Sequence, residues 1–222
     1  MIIKTSNYMI SSGNSNNIYW EQDIYPDWTA LSAFRHFPDQ RVGTGVEPHY
    51  HDNDEFWLFT AGYGEVWVDG QRFEVTPNTL VYTPMGAVHR FQMFTDYENN
   101  AIVTCLERQK RPVHLLVEEA GPPVPTVPGF VVPGGSNNGP FPNRGPRCPL
   151  SELRLLTFAT GEAVDEIRLS GNTHWLVIGG AIHLTIDGLG LELWQDDLAL
   201  VRASAVVQIR SVEDARVVFA CE

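Results

Sequence analysis

The fold of this 222-residue chain is decided by residues 43–62, which read Gly43-Thr-Gly-Val-Glu-Pro-His49-Tyr-His51-Asp-Asn-Asp-Glu55-Phe-Trp-Leu-Phe-Thr-Ala-Gly62. In an extended strand, side chains two residues apart project from the same face, so His49 and His51 are expected to point together. A short turn through residues 52–54 then returns the chain and brings Glu55 beside them. Imidazole nitrogens with a carboxylate oxygen suit a borderline divalent metal ion. The stretch therefore predicts two strands that carry a metal site.

A second stretch adds one more histidine to this set. Residues 84–89 read Pro84-Met-Gly-Ala-Val-His89, and a strand is expected to follow them. His89 would complete a set of three histidines and one glutamate. The alternative is that these histidines lie on a polar strand face or stabilise a metal-free barrel, but four candidate ligands at this spacing disfavour it.

The two stretches resemble the two signature motifs of the cupin superfamily. The first motif is G, five residues, HxH, three or four residues, E, six residues, G, and residues 43–62 fit it at every position. The second is G, five residues, PxG, two residues, H, three residues, N. It is matched at residues 84, 86 and 89, whereas Asn78 and Met93 replace its first glycine and its asparagine. Neither replaced residue is a metal ligand in that family.

The resemblance implies an all-β fold, the double-stranded β-helix or jelly-roll barrel. It also implies that one divalent transition metal, Fe, Mn, Ni or Zn, is bound by the family's ligand positions. In this sequence those ligands are His49, His51, Glu55 and His89.

An internal repeat predicts a second barrel. A shift of 118 residues superposes residues 57–58, 62 and 69–70 on Trp175-Leu176, Gly180 and Asp187-Gly188. Each Asp-Gly pair lies between two short β runs, which is a typical hairpin signal. Two copies of one small barrel explain the repeat more simply than chance does, so the predicted fold class is two tandem cupin barrels.

The second copy is predicted to lack a metal site. The four ligand positions map onto Ile167, Leu169, Thr173 and Val207, none of which is a ligand of the family type. We therefore expect one metal per chain and a C-terminal barrel filled with side chains. The remaining histidines do not fall on the ligand positions of either copy. They are interpreted as surface or satisfied core residues: His36, His114, His174 and His183.

Proline content suggests the domain boundaries. Ten of the fifteen prolines lie between residues 112 and 149, and none follows residue 149. The predicted domains are 1–111, an N-terminal barrel with an extension, and 150–222, the degenerate barrel. Residues 112–149 form a Pro/Gly-rich connection, which either wraps over the surface or covers a pocket mouth.

The same alternation along the strands predicts the side chains around the metal. Trp57 and Phe59 are two and four residues after residue 55, so they should project from the same strand face as residue 55. Phe91 and Met93 have the same relation to residue 89. We interpret these four as candidate substrate-binding residues, the alternative being plain barrel core.

Two further residues are candidate catalytic groups. Glu47 is two residues before His49, so in a regular strand it would project from the same face as the histidines and could act as a general base. Pro48 is expected to disturb this alternation, and a solvated position at the barrel rim is the alternative interpretation. Tyr82 precedes the second motif and could donate a proton, although a tyrosine in a barrel is more often a packing residue.

Bulk properties exclude some partners and suggest a compartment. The formal charge of −12 disfavours nucleic acid and anionic membrane surfaces. No transmembrane segment or signal peptide is evident, and three scattered cysteines do not indicate a disulfide framework, so a reducing cytoplasm is expected. The resemblance adds a homodimer as the expected assembly.

Three functions remain open at this point. Iron or nickel could bind a chelating small-molecule substrate and O2, as in cupin dioxygenases, which is the favoured hypothesis. Manganese or zinc could support isomerisation or epimerisation of a sugar or carbonyl compound, since residues 82–91 resemble mannose-phosphate isomerase cupins. The barrel could also be a non-catalytic small-molecule-binding protein.

Overall fold

The computed structural model describes residues 2–3, 28–29, 33–37, 42–43, 45–95, 100–105, 114–116, 127–134 and 150–222. For residues 2–3, 33–37, 100–105 and 114–116 it describes the backbone alone. In this part of the chain the regular secondary structure is entirely β-strand, and no helix is long and apolar enough to cross a membrane. The all-β fold predicted from the sequence is confirmed.

Nineteen strands are described, numbered here in chain order. The first eleven are β1 (Ile2–Ile3), β2 (Ala33–Phe37), β3 (Gly45–His51), β4 (Asp54–Phe59), β5 (Gly64–Val68), β6 (Gln71–Val75), β7 (Thr79–Thr83), β8 (His89–Met93), β9 (Asn100–Cys105), β10 (His114–Leu116) and β11 (Phe130–Val132). The remaining eight are β12 (Glu152–Phe158), β13 (Ala163–Arg168), β14 (Thr173–Gly179), β15 (Ala181–Ile186), β16 (Leu189–Trp194), β17 (Leu198–Val201), β18 (Val206–Ser211) and β19 (Ala215–Cys221).

The N-terminal barrel consists of two five-stranded antiparallel sheets. Their strand orders are β10-β3-β8-β5-β6 and β11-β7-β4-β9-β2. The Pro/Gly-rich connection supplies one edge strand to each sheet, since β10 pairs with β3 and β11 pairs with β7. The connection is therefore partly built into the barrel rather than only wrapped over it. Edge strands tolerate neighbouring prolines because one side of the strand makes no ladder hydrogen bonds.

The C-terminal barrel has a five-stranded sheet, β1-β17-β14-β19-β12, and a four-stranded sheet, β13-β18-β15-β16. The described residues 2–3 and 28–29 group with this barrel, whereas the sequence assigned residues 1–111 to the N-terminal one. The contacts are specific: β1 pairs with β17, and the Asn172 side chain donates a hydrogen bond to the Trp28 carbonyl at 2.8 Å. Two short segments far from residue 150 in the sequence thus complete the second barrel.

The internal repeat of 118 residues is visible in the strand register. His49 pairs with His89 across β3 and β8, directly after a register shift that follows Val46. In the second barrel Ile167 pairs with Val207 across β13 and β18, again directly after a register shift. The two barrels therefore share the backbone irregularity at the predicted ligand position, although only the first carries histidines there.

Left-handed backbone positions repeat with the same spacing. Asp69 and Asp187 both have φ near +48°, at +49° and +47°. Asn78 has φ +68°, which explains how asparagine replaces the glycine of the second motif, because asparagine tolerates this region better than most residues. Gly86, with φ +84°, corresponds to Ser204, with φ +69°, so the turn keeps its shape even where glycine is lost.

Each barrel has its own apolar core. In the C-terminal barrel the core includes three positions that are metal or pocket positions in the first copy: Leu169, Trp175 and Val207. Thr173 is also buried, whereas Ile167 is 42% exposed. The second barrel is therefore filled with side chains where the first carries histidines, with Ile167 at its rim.

Candidate metal centre

Three histidines converge inside the N-terminal barrel. The ring centroids of His49 and His89 are 4.2 Å apart, those of His49 and His51 are 4.9 Å apart, and those of His51 and His89 are 5.2 Å apart. One ring nitrogen from each can be chosen so that all three lie within 4.8 Å of one another, and all three side chains are buried. The strand alternation and the cross-strand pairing of β3 with β8 produce this arrangement.

Backbone carbonyls orient two of the three rings. Nδ1 of His49 lies 2.7 Å from the Glu47 carbonyl oxygen, and Nδ1 of His89 lies 2.8 Å from that of Ala87. A carbonyl can only accept, so each Nδ1 carries the proton and each Nε2 keeps its lone pair. In metalloproteins such a hydrogen bond fixes the tautomer and orientation of a ligating histidine. The chain supplies this support without any metal.

His89 Nε2 is the clearest sign that the centre is built for a bound group. This atom is buried and has no hydrogen-bond partner among the described residues. A buried polar atom without a partner is unfavourable, and a metal ion would use its lone pair. The donor set of imidazole nitrogens beside a carboxylate fits a divalent transition metal.

Electrostatics keep His89 ready to coordinate. Burial, together with the neighbouring His49 and His51, lowers the pKa of His89 to about 3. The imidazole is therefore neutral near pH 7, and a metal ion does not have to displace a proton from it.

Glu55 lies at the edge of the histidine cluster. Its Oε2 is 2.8 Å from Nε2 of His51, and its side chain is buried. The group of mutually close ligand atoms comprises His49, His51 and His89. Glu55 thus contacts one histidine nitrogen of the cluster, and the roles of all four residues as metal ligands stay predictions.

A clamp of two hydrogen bonds holds the second motif against the first. The Met85 N–H donates to Oδ1 of Asp54 at 2.8 Å, and the Gly86 N–H donates to the His51 carbonyl at 2.9 Å. This clamp fixes the turn immediately before His89. Sequence reasoning does not single out Asp54, because the sequence alone shows it only as part of the turn through residues 52–54.

The clamp repeats in the second barrel, which shows that it belongs to the fold. The Ala203 N–H donates to Oδ1 of Asn172 at 3.0 Å, and the Ser204 N–H donates to the Leu169 carbonyl at 2.9 Å. All four residues are 118 positions after their counterparts. An alignment of the two copies would have indicated residue 54, because its counterpart also carries a side-chain acceptor.

Aromatic side chains form the wall beside the histidines. The Trp57 ring lies 5.1 Å from the His89 ring in an edge-to-face arrangement, and Phe91 packs on Trp57 at 5.1 Å. Phe59 is 5.9 Å from Phe91, and Met93 is fully buried in the same cluster. Of the four candidate substrate-binding residues, Trp57 is thus in ring contact with the cluster, while Phe59 and Met93 belong to the apolar core.

The structure corrects the suggestion that Tyr82 donates a proton at the site. In the β4–β7 pair Tyr82 is opposite Phe56, whereas Val81 is opposite Trp57. Cross-strand partners share a face, and neighbours along a strand alternate, so Tyr82 is on the face opposite Trp57. It packs instead against Phe56 and Phe130, with ring centroids 4.7 and 5.0 Å away.

Glu47 occupies a rim position. Its side chain is exposed, and its backbone carbonyl rather than its carboxylate reaches the site by accepting a hydrogen bond from His49. The solvated-rim alternative describes it best.

The remaining histidines take no part in this cluster. His174 is fully buried, and its Nε2 lies 3.2 Å from both Oγ1 of Thr29 and Oε1 of Glu222, which places it in a polar cluster of the C-terminal barrel. His183 is partly buried, and its ring packs against Gly190. The side chains of His36 and His114 lie outside the described residues. Within the described chain, the three-histidine cluster is the candidate metal group.

Comparison with known proteins finds a matching family for the N-terminal barrel. Residues 40–104 match the family described as Cupin domain. A protein of Sinorhizobium fredii, uncharacterized protein y4oW, is 36% identical over 80 residues, which are 36% of this chain and 37% of that protein. The chain therefore matches little more than a third of this relative's length.

Solved structures match the whole chain at low identity. A deletion mutant of Bacillus subtilis oxalate decarboxylase aligns with a TM-score of 0.69 and 14% identity, covering 99% of this chain and 76% of the other. Salicylate 1,2-dioxygenase from Pseudaminobacter salicylatoxidans aligns with a TM-score of 0.60 and 11% identity, covering 100% and 83%. At these identities the similarity establishes the fold. The N-terminal barrel thus matches the cupin domain over residues 40–104, and the chain shares the fold of these two enzymes over nearly its full length.

Proposed function

We propose that this protein is a metal-dependent enzyme that carries out dioxygenase-type chemistry on a small substrate that chelates through two oxygens. The observation that carries the proposal is the convergence of three buried histidines, two of them with Nε2 lone pairs set by backbone carbonyls. Together with Glu55 they would hold one divalent ion. A bound iron(II) would supply a Lewis acid and a redox centre with coordination positions left for substrate and O2.

The chain's own residues define how a substrate would be held. His49 and His89 are locked in orientation by the carbonyls of residues 47 and 87, so the centre is preorganised. Trp57 and Phe91 form an aromatic wall that excludes water and gives the body of a substrate an apolar surface. Orientation along this wall would come mainly from the chelating oxygens.

The substrate class that we propose is a small carboxylate. Two proteins of the same fold are named for oxalate and salicylate, and both compounds present a carboxylate next to a second oxygen. Such a compound can chelate a single ion, and its charge would be neutralised by that ion. This supports a carboxylate over a free sugar, although the sugar remains in the test.

The test compares metal forms of the full chain. Protein purified without oxygen is loaded with iron(II), manganese or zinc, and O2 consumption and product formation are followed with oxalate, salicylate, catechols, diketones and free sugars. We expect O2 uptake by the iron form only when a chelating substrate is present, and no turnover by the zinc form, because zinc has no accessible redox step. The matched control is iron-treated His89→Ala, which should consume no O2.

Three results would contradict the proposal in different ways. Isomerisation of a sugar by the zinc or manganese form under argon would replace it with the isomerase hypothesis. Release of CO2 without net O2 consumption would replace it with decarboxylation. Binding of a carboxylate without turnover by any metal form would indicate a non-catalytic binding protein. A cytoplasmic location and a homodimeric assembly stay predictions beside this proposal.

A further inference from the structure

Trp57 carries a buried hydrogen-bond donor that no described residue satisfies. The side chain is 4% exposed, and its Nε1 has no acceptor among the described residues. An indole N–H can only donate, and buried tryptophans normally place this group against an acceptor. An unsatisfied donor at a functional site therefore calls for an explanation.

The ring that carries this donor contacts a ring that carries an unsatisfied acceptor. The Trp57 ring is 5.1 Å from the ring of His89, whose Nε2 also has no hydrogen-bond partner among the described residues. Two adjacent rings thus present one free N–H and one free lone pair. A single bound species could satisfy both, if a cation met the lone pair and an oxygen met the N–H.

The second barrel provides an internal control for this observation. Trp175 is the counterpart of Trp57, and its Nε1 donates to Oγ1 of Thr173 at 2.9 Å. Thr173 is the counterpart of Glu55, which instead lies 2.8 Å from His51. The barrel without candidate metal ligands satisfies its indole internally, whereas in the other barrel no described residue accepts the Trp57 N–H.

We propose that the Trp57 N–H is a specificity-determining donor that binds an oxygen of a small carboxylate at the three-histidine centre. This inference rests on the proposed function, because it assumes a metal ion there. Hydrogen bonds to an ionised acceptor are stronger than neutral ones, and a dry pocket strengthens them further. The same donor discriminates against ligands that present an amine or a methyl group at that point, since the N–H would stay unsatisfied.

A competing role for Trp57 can be separated from this one. Glu55 occupies the place of Thr173, so its carboxylate could turn and accept the Trp57 N–H once a metal is bound. Trp57 would then position a metal ligand and would affect metal affinity. In the proposed role it affects carboxylate affinity and leaves metal affinity almost unchanged.

The test measures metal and carboxylate binding separately, using the full chain and zinc as a redox-inert, diamagnetic ion. Calorimetric titration gives the zinc affinity of the wild type, Trp57→Phe and Trp175→Phe, and then the oxalate affinity of each zinc-loaded protein. We expect zinc affinity to agree within about twofold across the three proteins. Oxalate should bind Trp57→Phe about 10-fold or more weakly, the usual effect of losing a hydrogen bond to a charged group. Trp175→Phe, which removes the same ring from the metal-free barrel, should bind oxalate like the wild type.

A second measurement avoids any dependence on the folding of the variants. In zinc-loaded wild-type protein with ¹⁵N-labelled tryptophan, the indole N–H signal of residue 57 is followed by NMR during oxalate addition. We expect it to move downfield as a new hydrogen bond forms, while the Trp175 signal stays in place.

The possible results separate a failure of the proposed function from a failure of the proposed role of Trp57. If wild-type protein does not bind zinc, the proposed function fails, and this inference fails with it. If zinc binds but oxalate does not, or if oxalate binds with equal affinity to Trp57→Phe and leaves the Trp57 signal unmoved, this inference alone is overturned. A zinc affinity that falls in Trp57→Phe, with oxalate affinity unchanged, would overturn it in favour of the Glu55-positioning role.

Discussion

His49 and His89 are cross-strand partners whose ring centroids lie 4.2 Å apart directly after a shift in strand register. The same shift precedes the pairing of Ile167 with Val207 in the second barrel, where no histidine is present. The irregular backbone that presents the candidate ligands is therefore a property of the barrel. The three-histidine cluster depends on which side chains occupy that backbone.

Replacement of His89 by alanine should remove metal binding and leave the fold intact. The expected loss of zinc affinity is at least about 100-fold, because a ligand matters more than the outer hydrogen-bond partners whose loss costs 10–100-fold. The barrel should survive because its core is apolar and does not depend on the ion, unlike a small zinc module. Zinc titration and a thermal melt followed by circular dichroism measure the two effects.

The control for this variant is His183→Ala, which alters a histidine of the second barrel outside the cluster. It should bind zinc like the wild type. Full zinc occupancy in His89→Ala would show that the second motif has been misplaced.

Metal stoichiometry should be one ion per chain. One barrel gathers three histidines, whereas the corresponding positions of the other carry the aliphatic residues Ile167, Leu169 and Val207. Elemental analysis of protein loaded with zinc and then desalted should give close to one equivalent. Two equivalents, one of which persists in His89→Ala, would contradict the assignment of the C-terminal barrel as metal-free.

Asp54 should position the turn before His89, and asparagine at this position should serve equally well. In Asp54→Ala the Met85 N–H loses its acceptor, which costs about 1–3 kcal/mol of unfolding free energy if the group stays buried. The turn before His89 should also loosen, so zinc affinity should fall by about 10-fold. Urea unfolding and zinc titration measure the two effects.

Asp54→Asn is the matched control, since it keeps the acceptor oxygen. The second barrel already uses this solution, because Asn172 accepts the Ala203 N–H in the same way. We expect Asp54→Asn to retain most of the stability and the zinc affinity. If it binds zinc as poorly as the alanine variant, the carboxylate charge rather than the clamp is what matters.

The two signature motifs and the internal repeat were sufficient to predict the fold class and the convergence of three histidines. Both depend on spacing along one strand or on a fixed offset between copies, which a sequence displays directly. The exchange of glycine for Asn78 left this prediction intact because asparagine adopts the required φ of +68°.

Features that depend on pairing between distant segments were not predictable in this way. Tyr82 was misplaced because its face is decided by the register with Phe56, which alternation along β7 alone does not give. Strands β10 and β11 were missed because three-residue edge strands beside prolines show no period. The unsatisfied indole of Trp57 became visible only when its surroundings were known.

Turn geometry near the site can be tested by copying the second barrel into the first. Gly86 has φ +84°, and its counterpart Ser204 adopts φ +69°. Gly86→Ser should therefore fold, at a cost of about 1–2 kcal/mol in unfolding free energy for placing a side chain in the left-handed region. Ser204→Gly is the reciprocal variant and should not be destabilised by more than about 1 kcal/mol. A Gly86→Ser protein that fails to fold would show that the two turns are not equivalent.

The last prediction concerns the cluster that joins residues 28–29 to the C-terminal barrel. Burial acts to raise the pKa of Glu222, but hydrogen bonds from His174, Asn172 and Thr29 outweigh it and lower the pKa from 4.5 to about 2. The folded state thus binds this proton less readily than the unfolded state. The resulting stability is fully present above about pH 4.5 and is lost as the pH falls through about 2.

Glu222→Gln should remove this contribution. Between pH 5.5 and 2.5 the unfolding free energy of metal-free wild-type protein should fall more steeply than that of Glu222→Gln. The difference in unfolding free energy between the two proteins should shrink by about 1–2 kcal/mol over this range. This is less than the full pKa shift of Glu222 would give, because the side chain is partly exposed. Titration of His89 in the same range is common to both proteins and cancels in the comparison.

Glu213 is an exposed glutamate on the same barrel, and the control variant Glu213→Gln should follow the wild-type profile. Parallel profiles for wild type and Glu222→Gln would show that the carboxylate is not held ionised by His174, Asn172 and Thr29.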